Sequence, residues 1–391
     1  MLANDIEVEV ARQGLTVDGV TYPAGTYIVK MDQAKAGLAN TMLWDGEDIS
    51  EQVSTMYDIS AWSLPELWGF EAIATHSEIK AVSSKVNKIN EQGNLVGKGP
   101  YLIPNSSVKS VELVNKLLQN GITVKRDTNG NFYVEAQKGN LLRDLVRDSG
   151  LTVSTATVPS STKVVQNMRV AILKDVGIGK QQSHAGTKLA LERLGFDVTE
   201  LHPRTVATNG LTGYDVFIYS GTNNLISYAN NEANKEFWLE NQAQQAAFFQ
   251  HVQQFVDNGG KYIAVGGLAS IASRTMGITD VTVHSGSANS NGIVKVDYLP
   301  SSLTAGYSLD DIGFVYRPTW YSNTGGKTVV AKYAETQDFF VAGHWRNRSA
   351  AQGQPVIVKH NDKDVTLIGL EAGFRDHTDY LFRLLSNAIF D

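Results

Sequence analysis

The sequence predicts an α/β protein in which a β-rich N-terminal segment and a small α/β module precede a doubly wound, mostly parallel sheet with an added β layer. Three observations predict it. From Arg169 onward, short apolar runs alternate with helix-length patterns, as parallel strands joined by crossover helices require. The runs themselves, such as Val170-Ala171-Ile172-Leu173 and Val216-Phe217-Ile218-Tyr219, are apolar throughout rather than alternating, which is what burial on both faces demands. The length of 391 residues, at roughly 150 per domain, leaves room for about two or three cores.

Residues 1–95 read as short strands broken by turns. Tyr22-Pro23-Ala24-Gly25 is a turn, Thr26-Tyr27-Ile28-Val29 a β-branched and aromatic strand, and residues 34–43 a short helix. Residues 57–69 are aromatic-rich and interrupted by Pro65. The module at 96–160 opens with the strand Tyr101-Leu102-Ile103. Ser106-Ser107 then caps a helix whose apolar face is Val108, Val111, Leu113, Val114, Leu117 and Leu118, and Asn120-Gly121 ends it. A strand from Ile122, a hairpin loop at 127–131, the strand Phe132-Tyr133-Val134, a helix ended by Gly150 and a strand from Leu151 complete this module. Pro159-Ser160-Ser161-Thr162-Lys163 is the clearest linker. In the domain at 165–391, strands are expected at 169–173, 196–199, 214–219, 261–265 and 365–369, with helices at 183–194, 233–256 and 380–389. Residues 280–360 read as the added β layer.

Composition removes several classes of function. Lys and Arg total 34 against 40 Asp and Glu, a net charge of −6 with the eight histidines neutral. That balance argues against nucleic acid or an anionic membrane as the main partner, because no basic excess exists to displace counterions. No run approaches the roughly 18 apolar residues of a membrane span. With zero cysteines, disulfides, thiolate metal sites and a Cys nucleophile are excluded. The start, Met1-Leu2-Ala3-Asn4-Asp5-Ile6-Glu7, has neither the basic nor the apolar segment of a secretory leader, so the sequence reads as intracellular or as part of a larger exported protein.

Ligands of an open parallel sheet bind outside the carboxyl ends of its strands, so four loops there are candidates. In residues 175–184, Gly177 and Gly179 lack the third glycine of a dinucleotide fingerprint, and no Walker pattern fits. Ser183 reads as a helix cap, or, beside His184, as a hydroxyl near a base. Val265-Gly266-Gly267-Leu268 follows a strand and opens a helix, as a nucleophile elbow does, but Gly266, Gly267 and Leu268 bring no attacking side chain. His377 with Asp379 two residues on is a base with its orienting group, or a polar loop before the closing helix. Gly343-His344-Trp345-Arg346, together with Trp320, Tyr321 and Arg375, is a candidate glycan- or peptide-binding surface, or half-buried packing. The eight histidines are scattered, with no His-x-x-x-His pair, so neither a metal site nor a cofactor is expected.

Tyr22-Pro23-Ala24-Gly25-Thr26-Tyr27, Tyr57-Asp58-Ile59-Ser60-Ala61-Trp62-Ser63-Leu64-Pro65 and Gly69 resemble the region that follows the catalytic domain in large bacterial zinc carboxypeptidases of the carboxypeptidase A-like class. Gly121-Ile122-Thr123-Val124 with Phe132-Tyr133-Val134 is similar to their small module. From Arg169 to the closing Ile368-Gly369-Leu370, Gly373-Phe374-Arg375 and Leu384-Leu385-Ser386-Asn387-Ala388, the chain resembles their C-terminal domain of class I glutamine amidotransferase-like, flavodoxin-like fold. The family's His-x-x-Glu zinc motif has no counterpart here. The amidotransferase Cys is replaced around Gly266-Gly267-Leu268, and its His-x-Glu is echoed only by His377-Thr378-Asp379. The resemblance therefore implies a non-catalytic accessory region of an exported peptidase, extracellular or in the cell envelope. Its partners would be the upstream peptidase domain, a second copy, or peptide or cell-wall material. The alternatives are a glycan- or peptide-binding module, and a hydrolase built from Ser183, His184, His377 and Asp379.

Overall fold

The computed structural model describes residues 1–89, 92–175, 184–221 and 237–391, and these divide into two compact units, Met1–Gly46 with Trp62–Glu91 and Glu47–Ala61 with Gln92–Asp391. In the first unit, Glu9–Ala11 pairs antiparallel with Tyr27–Ile28 on one side and Ser83–Lys85 on the other. A separate hairpin joins Leu15–Val17 to Val20–Tyr22. The helix expected near 34–43 runs Ala36–Leu43. A second short helix, Leu64–Trp68, starts where Ser63 caps it and Pro65 fixes its first turn. The strands are so short that they bury only small clusters, Ile6, Val8 and Ala39 in one and Ala11, Leu15 and Ile28 in another.

In the second unit the small module follows its sequence pattern closely. Its helix, Val108–Gln119, begins where the Ser107 hydroxyl accepts the Ser110 N–H at 3.2 Å, and the helix buries Val111, Leu113, Val114 and Leu117. It packs on a six-stranded sheet in the order Lys163–Val164, Val124–Arg126, Phe132–Val134, Tyr101–Ile103, Thr152–Thr155, Asn94–Val96, of which the last pair alone is parallel.

The larger sheet carries the site. The strands of its domain are β1 (Val170–Leu173), β2 (Val198–Leu201), β3 (Val216–Ser220), β4 (Lys261–Val265), β5 (Thr282–Ser285), β6 (Asn291–Tyr298), β7 (Asp311–Tyr316), β8 (Thr319–Ser322), β9 (Lys327–Tyr333), β10 (Phe340–His344), β11 (Pro355–His360) and β12 (Val365–Ile368), all but β5 and β8 in the one sheet. The helices are α1 (His184–Arg193), α2 (Pro203–Asn209), α3 (Gln242–Asp257), α4 (Gly267–Thr275) and α5 (Phe382–Phe390). The order is β2-β1-β3-β4-β12-β11-β9-β6-β7, with β10 also on β6. The first five strands are parallel and the rest antiparallel. An order of 2-1-3-4 followed by a late parallel strand is the flavodoxin-like doubly wound arrangement.

Strands β1, β3, β4 and β12 are buried at every position, which explains their unbroken apolar sequence. The expected β addition is present. It extends the edge of the same sheet, and β5 and β8 form a separate two-stranded ribbon. Helix α3 starts later than its apolar pattern predicts, at Gln242, because the Asn241 side chain accepts the Gln244 N–H at 3.0 Å. The first part of that expected helix, 233–236, lies outside the described residues. Among the described residues no helix is long and apolar enough to cross a membrane.

Candidate functional site

At the carboxyl edge of the sheet Gly221, just past β3, and the segments after β4 and β12 meet the end of β7. A cleft with about 10 Å³ of space is lined there by Gly221, Val265, Gly266, Gly267, Leu268, Tyr316, Arg317 and Glu371. The cleft lies where ligands of such sheets bind. Its space is about what one water molecule needs.

The turn after β4 has the shape of a nucleophile elbow without its chemistry. Gly266 stands at φ +86°, a conformation that disfavours any residue with a Cβ, and it caps α4 with no side-chain hydrogen bond. At Gly267 a Cβ would lie 2.1 Å from Thr319 Oγ1, so no attacking side chain can be housed there. The next hydroxyl, Ser270, is fully buried and held by the Gly266 carbonyl at 3.0 Å and Tyr321 Oη at 2.8 Å. The first ladder bond of α4 runs from the Ser270 N–H to the Gly266 carbonyl. The N–H groups of Gly267, Leu268 and Ala269 therefore precede the ladder and form the positive end of the helix dipole beside the cleft.

Opposite this turn stand Tyr316 and Arg317. Tyr316 is 1 % exposed, its ring stacks on Phe374 at 5.4 Å, and its buried hydroxyl has no hydrogen-bond partner among the described residues. Burial first, with Asp58 and Glu371 adding to it against Arg375, pushes its phenol above the usual range, so the group is a donor at neutral pH. Arg317 adopts φ +55°, rare for a residue with a side chain, and its Nε is likewise buried without a partner among those residues. Glu371, 2 % exposed, supplies a carboxylate to the same lining.

A charged network backs one wall. A Cβ at Gly221 would lie 2.3 Å from Asp175 Oδ2. The Asp175 Oδ1 atom is 2.6 Å from His184 Nδ1, and His184 Nε2 is 2.8 Å from Glu200 Oε1. Glu200 Oε2 accepts from Lys188 Nζ at 3.0 Å. Burial raises the Glu200 carboxyl, but Lys188 and then His184 outweigh it and hold the group below the usual carboxylate range.

Of the expected hydrolase residues, the three described ones are engaged with other groups. Ser183 lies outside the described residues. His184 has both ring nitrogens engaged by carboxylates, which leaves neither to activate a hydroxyl. His377 Nε2 donates to the Ala61 carbonyl at 3.1 Å, and Asp379 is bound by Arg193 Nη2 at 2.6 Å. The expected aromatic surface is also different. Tyr321, inward on β8, and Trp345, just past β10, are fully packed, Trp345 among Tyr333, Phe339 and Phe340. His344 is buried and bonded to the Val53 carbonyl at 3.0 Å. Trp320 is half-buried against His284, Arg346 is exposed, and Arg375 sits over Phe374. These six residues form no open groove of rings.

Sequence reasoning reached Gly266, Gly267 and Leu268 but missed Gly221, Tyr316, Arg317 and Glu371. One signal was available for Glu371, a lone carboxylate between Leu370 and Ala372 just past the last strand. Among the described residues no three His, Cys, Asp or Glu are grouped to hold a metal ion.

No protein-family model matches the chain, and no curated protein matches it. Among solved structures it is similar to a GMP synthase subunit from Thermoplasma acidophilum, at 13 % identity over 57 % of this chain and 92 % of that one, with TM-score 0.38. It is similar to a ThuA-like protein from Bacteroides uniformis at 13 % identity over 60 % and 93 %, TM-score 0.38. It is also similar to a glutamine amidotransferase from Thermotoga maritima at 9 % identity over 57 % and 97 %, TM-score 0.37. At these scores the likenesses add nothing to the strand order, and none of them bears on a peptidase parent. The strand order itself makes the larger domain a flavodoxin-like, doubly wound α/β fold.

Proposed function

We propose that this chain is a non-catalytic accessory region of an exported bacterial zinc metallocarboxypeptidase, with an amidotransferase-like domain that holds a ligand and does no chemistry on it. The observation that carries the non-catalytic part is the elbow at Gly266-Gly267, where the position that would bear a nucleophile has no side chain and no room for one. The peptidase part rests on the sequence resemblance across the chain. The hydrolase reading needs an imidazole free to serve a hydroxyl, and His184 is clasped on both sides.

The test is an assay of the whole chain, with and without zinc, against peptides with free C-termini and against L-glutamine. No release of amino acid or ammonia is expected. Sustained turnover of either substrate would sink the non-catalytic reading. A gene whose upstream frame encodes no peptidase domain would sink the peptidase assignment alone.

A further inference from the structure

Residues 47–61 belong to the second unit, although the chain on either side of them belongs to the first. This strap contains Asp-Ile-Ser twice, as Asp48-Ile49-Ser50 and Asp58-Ile59-Ser60, ten residues apart. Each copy is docked by its own partners. The first copy adds to the edge of β10. There the Ile49 N–H donates to the Gly343 carbonyl at 2.9 Å, and the Gly343 N–H to the Glu47 carbonyl at 2.9 Å. Arg348 Nη2 donates to Asp48 Oδ2 at 2.6 Å, and the Trp345 N–H donates to the buried Ser50 hydroxyl at 2.9 Å. The second copy sits on Asn291, whose Oδ1 accepts the Ser60 N–H at 2.8 Å and the Ser60 hydroxyl at 2.9 Å. Asn291 Nδ2 donates to the Asp58 carbonyl at 2.8 Å, and Arg375 Nη1 stands 3.7 Å from Asp58 Oδ1.

This is how a protein reads an extended peptide, and not how it buries a core segment. The contacts are polar and largely main-chain, and within 47–61 only Ser50 and Ala61 are buried. Charge is complementary as well. The strap carries Glu47, Asp48, Glu51 and Asp58 with no Lys or Arg, and it lies against Arg346, Arg348 and Arg375. Ser54, Thr55 and Tyr57, between the two docked copies, are exposed. A segment held by hydrogen bonds with so little apolar burial opens well before the whole fold does.

We propose that residues 47–61 are a releasable latch, docked in cis on two sockets that each read Asp-Ile-Ser. The same face then binds an acidic extended peptide bearing both motifs when it is supplied in trans. The anchors are Ser50, on Arg348 and the Trp345 N–H, and Ser60, on Asn291. The half-exposed Asp58–Arg375 pair adds little. Tethering gives the strap an effective concentration on the order of millimolar, so it fills its own sockets until it is outcompeted. The two points also reinforce each other, so weakening one loosens both. This inference uses neither the elbow nor the peptidase assignment.

The experiment titrates the whole chain into a fluorescent synthetic peptide of residues 47–61 and follows anisotropy. Ser50→Ala with Ser60→Ala removes an anchor from each end of the latch and leaves both sockets intact. With its fold verified by circular dichroism, this double variant should bind the peptide at least about tenfold more tightly than the wild-type chain, whose sockets are filled. A peptide carrying the same two alanines should bind it about tenfold more weakly than the natural one. Hydrogen exchange of the milder variant Ser60→Ala gives a readout that does not need the double variant to fold. Exchange should quicken at Ile49 as well as around position 60, while β4 stays protected. No binding by the folded double variant, equal affinity in the two chains, equal affinity of the two peptides, or quickened exchange confined to the substituted end would each overturn the proposal.

Discussion

At Gly267 an added Cβ would sit 2.1 Å from Thr319 Oγ1 and 3.2 Å from Thr319 Cβ, both on a fully buried residue of β8. Neither atom can withdraw cheaply, since Thr319 Oγ1 also donates to the Arg317 carbonyl at 3.2 Å and the neighbouring core is full. Gly267→Ala should therefore lower unfolding stability by about 1–3 kcal/mol, the usual penalty for overpacking. Urea denaturation checks this. In a double-mutant cycle Thr319→Ala should return part of the loss, because it removes Oγ1 and Cγ2 from the contact. Additive losses would mean that the two residues do not meet. The same crowding explains why a substitution to Ser or Cys at this turn would not by itself restore a nucleophile.

Among the elements, the closing helix α5 joins the small module to the larger sheet through Asn387, with Arg383 and Phe390 beside it. Asn387 is 1 % exposed and accepts from Arg126 Nη2 at 2.7 Å and Asn105 Nδ2 at 3.0 Å. It donates to the carbonyls of Ala305 at 2.8 Å and Leu303 at 3.1 Å. Burial draws the Arg126 guanidinium down to about 10, with Asp391 and Asp127 opposing, yet it stays charged at neutral pH. Asn387→Leu would keep the volume and remove all four bonds, leaving a buried cation short of an acceptor. A loss of about 2–5 kcal/mol is expected. Hydrogen exchange should show amides of the helix Val108–Gln119 losing protection before those of β3 and β4. Uniform loss across both sheets would mean that α5 is not the joint.

For the whole molecule, pH reports on buried imidazoles. His360, 5 % exposed, bonds Thr279 Oγ1 at 2.9 Å. Burial, then Lys363 and Lys327, lower its pKa, and Asp362 only partly opposes them. His377 is lowered for the same first reason, burial. A histidine with a depressed folded pKa stays neutral while the unfolded chain takes up a proton near pH 6.5, so stability rises with pH across that window. The urea midpoint should fall as pH drops from about 7 to 5.5, with a shallower fall in His360→Gln. An identical slope in the variant would remove His360 from the account. Carboxylates held low by ion pairs, such as Asp215 with Arg169, titrate below this window.

Local sequence was enough to dictate the helices of the small module and the parallel core strands, because capping residues and fully apolar runs are local or period-bound signals. The helix Pro203–Asn209 and the edge strands Asn94–Val96 and Lys163–Val164 carry no such signal. Ser107 starts its helix where a capping serine should, and the elbow at Gly266-Gly267 lacks an attacking group on inspection of the residues alone. Which side chains surround that elbow was left to the three-dimensional packing. Tyr316 and Arg317 lie some fifty residues downstream of it, and Glu371 about a hundred, and they arrive through strand pairings that no local pattern encodes. Packing also made Trp345 and Tyr321 core residues, since composition cannot say which face of a strand is inward. A hydrophobic period fixes an element's own geometry, whereas a site depends on long-range contacts that bring distant loops to one edge of a sheet.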